Sequence, residues 1–203
     1  MIKNIGCSIL AGGKNSRIGG RNKALIEIDN CSILKNNTKV LRSIFEEIIL
    51  VTNSPEQYSC VQNDYTIISD EIKGVGPLGG IYSALLKTNK EAIFFVPCDM
   101  PFLNTKVISQ VIEAYKNNNY DAVVPRIKNN IEPLHAIYRK AIYKKLFTHI
   151  TEGCNYSIRN FYKKINVHYL DLEDSLFNNK VFTNINTHTD LKIAIDLNNS
   201  STQ

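Results

Sequence analysis

No CxxC pair occurs in this sequence, and its five cysteines, Cys7, Cys31, Cys60, Cys98 and Cys154, are odd in number and widely scattered. Neither a zinc site nor a disulfide framework is indicated, and core-filling thiols in a reduced, cytoplasmic protein are the simplest expectation. No apolar segment approaches the roughly 18 to 20 residues that cross a bilayer. The opening "MIKNIGCSILAGG" holds a short apolar stretch that runs into glycine, which reads as a first β-strand and not a signal peptide. Basic runs with interleaved aromatics are missing too. The net charge of +5 therefore speaks for solvated lysines or an anionic ligand, with no nucleic acid or membrane expected as partner. Two phosphate-binding glycine signatures are also missing from the opening loop: no GxxxxGK[ST] occurs, and the pairs Gly12-Gly13 and Gly19-Gly20 do not fit GxGxxG, which argues against kinase-like and dehydrogenase chemistry.

What is present is an alternation. The 203 residues, 43% apolar and 21% charged, suit one domain, 1–203, with a large core. Strands are expected at Ile5 to Ala11, Ile48 to Thr52, Thr66 to Ile68, Ala92 to Pro97 and Asp121 to Pro125. Several are apolar on consecutive residues, as strands buried on both faces are. Helical stripes fall between them: Leu78, Ile81, Tyr82, Leu85 and Leu86 form one. Val107, Ile108, Val111, Ile112 and Tyr115 form another, with Asn104 or Thr105 as N-cap. Alternating strands and helices predict an α/β fold with a mainly parallel sheet. The segments "KNNNYD", "IKNN" and "LFNNKVF" read as polar turns, and residues 126 to about 175 depart from strict alternation. Those residues are expected to form a substrate-side subregion of the one domain.

Two places carry chemistry. The first is "SILAGGKNSRIGGRNKALIEI", residues 8 to 28, where a glycine pair, Arg17, a second glycine pair and Lys23 follow the first strand. In parallel α/β sheets, ligands bind beyond the carboxyl ends of strands. Gly12 and Gly13 would let backbone amides approach a phosphate or base. Arg17 offers a bidentate fork and Lys23 a mobile point charge for a polyphosphate; a glycine-rich turn with solvated cations is the alternative. The second is "FFVPCDMPFL", residues 94 to 103, which sets Asp99 at the end of an apolar strand between two prolines. A lone carboxylate there is placed to ligate Mg²⁺, which completes its shell with water and phosphate oxygens. Capping the helix near Asn104 is the other role open to Asp99.

Together these segments resemble a known family. "LAGGKNSRIGGRNKALIEI" is similar to the LAGGxSxRMGxDK signature of the MobA-type nucleotidyltransferases. "GPLGGIYSAL" resembles their GPLxGI segment, "VPCDMPFL" their PCDxPFL stretch and "NINTHTDL" their NxNTPEDL ending. The four motifs occur in the family's order and span residues 5 to 191. The resemblance implies a Rossmann-like three-layer α/β/α nucleotidyltransferase fold. It implies transfer of GMP from GTP, with Mg²⁺, to the terminal phosphate of molybdopterin, releasing pyrophosphate. Expected partners extend to a protein that inserts metal into molybdopterin and to apo-molybdoenzymes.

Carried over by motif, Leu10, Ala11 and Gly12 would contact the nucleotide. Gly13, Arg17 and Lys23 would meet its phosphates, Asn53 and Asp70 would line the nucleoside pocket, and Asp99 would hold Mg²⁺. Gly13, where related cytidylyltransferases have alanine, goes with guanine. "EPLHAIYRK" resembles the segment facing the pterin and makes Pro133, Leu134, Tyr138 and Arg139 candidates; a core strand followed by a helix is its other reading. Asn184 and Asn186 either hold cofactor or metal or cap the last helix, whose Leu191, Ala194 and Ile195 look like core. Asn22 stands where the family has an acidic residue, and His188 and Thr189 replace Pro-Glu. His135, His149, His168 and His188 form no ligand cluster and are expected to be surface or structural. A nucleotidyltransferase using CTP or a sugar-phosphate acceptor, and a carrier without turnover, are the competing readings.

Overall fold

The structure, a computed structural model, describes residues 1–12, 17–18, 21–116, 118–153 and 155–199. Its first strand, β1 (Ile5–Leu10), is buried at all six positions. Two short antiparallel hairpins follow, β2 (Arg17–Ile18) with β3 (Arg21–Asn22) and β4 (Glu27–Ile28) with β5 (Cys31–Ser32). They lead into helix α1 (Ile33–Arg42), whose N-cap Ser32 accepts a hydrogen bond from the Lys35 amide. Strands β6 (Ile48–Val51), β7 (Thr66–Ile68) and β8 (Ala92–Pro97) alternate with helix α2 (Pro77–Lys87), and α3 (Thr105–Lys116) follows β8. Asn104 is the cap of α3, its Oδ1 accepting from the Lys106 amide at 2.9 Å.

The second part of the chain contains β9 (Ala122–Ile127), β10 (Asn130–Ile131), β11 (Ile137–Arg139), α4 (Tyr143–Thr151), α5 (Ile158–Tyr162), β12 (Val167–Asp171), α6 (Leu176–Val181) and α7 (His188–Asn199). Strand order in the main sheet is β10-β9-β11-β8-β1-β6-β7, with β12 pairing β9. The pairs β1–β6, β1–β8, β6–β7 and β9–β12 are parallel. Among the described strands of this sheet, β10 and β11 run against their neighbours. That reversal is why residues 126 to 139 break the strand–helix alternation.

Because the parallel strands are covered on both faces, successive residues enter opposite cores. Ile5, Cys7, Ile9, Phe94 and Val96 join Leu34, Leu41, Val107 and Val111 beneath α1 and α3. Ile93, Phe95, Ile49 and Val51 join Leu78, Ile81, Leu146 and Ile150 beneath α2 and α4. Burial of each such side chain contributes roughly 1.5–3 kcal/mol. The result is the expected three-layer α/β/α arrangement.

Three sequence-based expectations fail locally. "LFNNKVF" is not a turn: it forms α6, started by Ser175, whose hydroxyl accepts from the Asn178 amide at 3.2 Å. A good cap outweighs the weak helix propensity of two asparagines. Leu86 is exposed on α2, and Ile195 on α7. Each sits at the margin of its apolar stripe, where the helix face turns away from the sheet. Of the cysteines, Cys7 and Cys98 are buried and Cys31 is partly so; the Cys60 side chain and Cys154 lie outside the described residues.

Candidate active site

Chain order reverses at β1, which has β6 on one side and β8 on the other. Open α/β sheets bind ligands at such a switch point, beyond the carboxyl ends of the strands. The loops after β1 and β8 therefore face one another: the Cys98 amide donates to Leu10 O at 3.0 Å, and the Ala11 amide to Val51 O at 2.8 Å. Leu10 and Ala11 are buried and Gly12 is exposed at the rim.

Asp99 is anchored from several elements. The Ile185 amide donates to its carbonyl at 2.9 Å, and buried Asn37 of α1 donates to the next carbonyl, Met100 O, at 2.9 Å. Asp99 does not cap α3; its carboxylate faces Lys23, with Nζ to Oδ2 at 3.6 Å. The lysine side chain is 4% exposed and the aspartate 21%. Burial raises the Asp99 carboxyl above the usual carboxylate value, and the Lys23 ammonium opposes that shift. The short 3₁₀ turn Lys23–Leu25 presents the lysine. Asn22 caps this turn, its Oδ1 accepting from the Ala24 amide at 3.0 Å. The Asn22 amide also donates to Gln57 Oε1 at 2.9 Å and to the Tyr58 hydroxyl at 2.8 Å. The missing acid at position 22 thus has a structural replacement, and the negative partner of Lys23 comes from Asp99.

On the other side of β1, Asn53 and Asp70 form a reciprocal pair. Asn53 Nδ2 donates to Asp70 Oδ2 at 2.7 Å, and the Asp70 amide donates to Asn53 Oδ1 at 3.2 Å. Burial raises the Asp70 carboxyl, against the pull of Asn53 and Lys73. A Cβ on Gly12 would have the Asn53 amide nitrogen 3.8 Å away, so the loop and the pair share one wall. Two further residues of this wall, Gly79 and Gly80, were not among the sequence candidates. A Cβ on Gly80 would meet Leu10 Cδ2 at 2.9 Å, and one on Gly79 would meet Ile72 O at 2.6 Å. The glycines let α2 close against β1 and the Asp70 loop; the doubled glycine of "GPLGG" was the available signal. Gly76 starts that helix at φ 62°, ψ −147°, a conformation essentially reserved for glycine.

The remaining candidates divide. Asn186 Oδ1 accepts from Lys23 Nζ at 2.7 Å, which brings the C-terminal segment into the site. Asn184 donates to Phe182 O at 3.3 Å. Neither asparagine caps α7: Thr187 does, its Oγ1 accepting from the Asp190 amide at 3.1 Å. Because β11 is antiparallel to β8, Pro133 and Leu134 lie toward the carboxyl end of β8, partly exposed. Tyr138 is fully buried, its hydroxyl donating to Pro133 O at 2.6 Å and contacting the Tyr162 hydroxyl. It can brace the Pro133 turn but offers no surface to a ligand. Arg139 is brought to the opposite end of the sheet. It registers with Ala92 at the start of β8, seven residues and roughly 20 Å from Asp99. The register reverses what the linear motif implies, because the chain enters "EPLHAIYRK" at the site and leaves it at the far edge. Gly13 and the Arg17 side chain lie outside the described residues. His135 and His149 are buried, and burial pushes His135 down to about 3, so it is neutral in the core.

Glu132 is a third residue that was not among the sequence candidates. Its amide donates to Pro125 O at 2.9 Å, at the carboxyl end of β9, and burial pushes its carboxyl up to about 7. Among the described residues no group of three or more His, Cys, Asp or Glu side chains could hold a metal ion by itself. No helix among them is long and apolar enough to cross a membrane.

The chain matches the MobA-like NTP transferase domain over residues 7–167. It is 38% identical over 192 residues to a probable molybdenum cofactor guanylyltransferase of Peptoclostridium acidaminophilum, covering 91% of this chain and 85% of the relative. A probable molybdenum cofactor guanylyltransferase of Carboxydothermus hydrogenoformans is 34% identical, covering 93% and 94%. Among solved structures, molybdopterin-guanine dinucleotide biosynthesis protein A from Archaeoglobus fulgidus superposes with a TM-score of 0.78 at 24% identity, covering 96% and 98%. A Lys–Asp pair at the switch point, a glycine-lined wall beside it and a match spanning most of the chain agree: this chain belongs to the MobA-like NTP transferase family.

Proposed function

We propose that this chain is a molybdenum cofactor guanylyltransferase, moving GMP from GTP to the terminal phosphate of molybdopterin and releasing pyrophosphate. The observation that carries the reading is the buried Lys23 held against Asp99 where β1 and β8 diverge. The names of the relatives support it as well. An acceptor phosphate oxygen forms a bond to the α-phosphorus of GTP while the bond from that phosphorus to the α–β bridging oxygen breaks. The acceptor phosphate is anionic at neutral pH, so no protein nucleophile and no strong base are needed.

The protein's tasks are to align two anions and to stabilise charge on the leaving pyrophosphate. Leu10, Ala11 and Gly12, with Asn53 and Asp70, make the nucleoside wall in this reading, and Gly13 lies toward the phosphates. Lys23 and Arg17 meet the phosphates. Pro133, Leu134 and Asn184 are the acceptor-side candidates that remain at or near the rim, with residues 126–203 as the acceptor half. Asp99 fits Mg²⁺ that arrives with a nucleotide, because that ion needs one or two carboxylates and takes its other oxygens from phosphate and water. When bound, the ion would supply charge stabilisation on the phosphates.

The test is calorimetric titration with GTP, CTP and ATP, each with and without Mg²⁺, followed by a GMP-transfer assay with molybdopterin. Preference for GTP and product formation are expected. Preference for CTP would transfer the chain to cytidylyl chemistry. GTP binding without transfer would make it a carrier.

A further inference from the structure

Lys23 carries its charge on four rotatable bonds, and a flexible ammonium contributes to a transition state only if something fixes it beforehand. Two contacts do so. The ion pair with Asp99, at 3.6 Å, supplies attraction without a short hydrogen bond. The 2.7 Å bond to Asn186 Oδ1 supplies direction without neutralising the charge. Asn186 is exposed and lies in the connection between α6 and α7, so its own position needs an explanation.

Asp190 provides it. One oxygen, Oδ2, accepts from the Asn186 amide at 2.9 Å and from the Thr187 amide at 2.8 Å. Thr187 answers by accepting from the Asp190 amide, which completes a capping box. The extra contact, to Asn186, reaches one residue beyond an ordinary box. From the other side, Ile185 is fully buried against Ile28, Ile33 and Ala194, and its amide holds Asp99 O. The connection is thus clamped at both ends, and Asn186 projects from it onto Lys23. The Asp190 carboxyl is held below the ordinary carboxylate value, first by the Asn186 amide, then by Thr187, with a smaller pull from Lys23.

We infer that Asp190 is a positioning residue for Lys23, acting through the Asn186 backbone, so that the first turn of α7 sets the orientation of the ammonium beneath the phosphates. The role of the ammonium toward phosphate rests on the proposed nucleotidyl transfer; the clamp itself does not. The capping-box spacing Thr187-x-x-Asp190 was visible in the sequence, but its link to Lys23, 163 residues away from Asn186, was not.

The test compares Asp190→Ala with Thr187→Ala, which removes the hydroxyl arm of the same box and leaves the Asp190–Asn186 contact intact. Both variants should lower the melting temperature by similar small amounts. The deciding measurement is the rate at which an amine-reactive reagent labels Lys23, read by mass spectrometry, because it needs neither substrate nor turnover. Labelling should rise about fivefold or more in Asp190→Ala and stay within twofold of the parent in Thr187→Ala. Equal labelling of parent and Asp190→Ala, or an equal rise in both variants, overturns the inference. If the parent protein transfers GMP, Asp190→Ala should lower kcat about tenfold with less than twofold change in KM for GTP, and Asn186→Ala combined with it should add nothing further. A parent protein without transfer would count against the proposed function alone, since the labelling result stands apart from it.

Discussion

The two ends of the central sheet both gather cations, yet they are built differently. At the carboxyl end, Lys23 is buried, faces Asp99 and is directed by Asn186. At the amino end, Lys116, Arg139 and Lys140 line an open hollow of ≈ 780 Å³ with Glu91, Tyr115 and Tyr143. There Arg139 donates to Tyr120 O and lies over the Tyr115 ring, and Lys140 reaches Thr88 O. Arg139 and Lys140 thus tie the chain to itself. At the carboxyl end a buried charge is kept beside a carboxylate and glycine-lined backbone, which is what a polyanion and its metal require.

The sharpest way to break this contrast is Asp99→Ala. It should reduce GMP transfer by about 10³-fold or more while the melting temperature moves by only a few degrees. Unchanged turnover would remove Asp99 from the chemistry and with it the difference between the two ends.

Gly79→Ala probes the wall beside the site. Its methyl would sit 2.6 Å from the Ile72 carbonyl oxygen, so either α2 or the loop after Asp70 must shift. A cost of about 1–3 kcal/mol is expected, with a fall of several degrees in melting temperature and GTP binding weakened roughly tenfold. Wild-type affinity in a destabilised variant would show that α2 closes the core without shaping the pocket.

Glu132→Gln should matter only once pH rises above about 4.5. The carboxyl titrates near 7 in the folded protein because burial disfavours its charge, against an ordinary value of 4.5. A raised value means that the group's contribution is fully present below about 4.5 and is lost as pH rises through 7. The amide variant should therefore match the parent at pH 4.5 and be more stable by about 2 kcal/mol at pH 8, as read by thermal melts at both values. Equal stability at pH 8 would mean that the carboxylate is solvated.

The smallest effect belongs to Arg139→Ala. With its side chain at the far end of the sheet, KM for molybdopterin and kcat for transfer should change by less than about twofold. A tenfold rise in that KM would refute the separation of the two ends.

Much of this architecture was legible in advance because its causes are local. Ala92 to Pro97 was read with its exact ends, since a strand covered on both faces appears as an unbroken apolar run, and the edge strand Thr66 to Ile68 from its β-branched residues. Asp99, Asn53 and Asp70 could be singled out because each lies two residues beyond a strand of the central sheet, where a parallel sheet turns its carboxyl edge to solvent, and Lys23 because it closes the glycine-rich loop after the first strand. Asn22 looked like a loss when judged by charge alone. Its hydrogen bonds to Gln57 and Tyr58 join segments more than 30 residues apart, and no local pattern announces them. Tyr138 and Arg139 were misplaced for a related reason: a linear motif does not state which end of an antiparallel strand faces the site.

By itself, then, the sequence determined the alternation of strands and helices, the apolar residues of both cores and the polar residues that cap each central strand. Those follow from hydrophobic period and from the chemistry of single side chains. Tertiary structure alone decided which of these groups meet. The switch of chain order at β1 sets the loop of Asp99 against the turn of Lys23. The capping box of α7 delivers Asn186 to the same lysine. The reversed course of β11 keeps Pro133 toward that end and carries Arg139 away from it. Register and strand direction are properties of paired segments, and pairing exists only after the chain has folded.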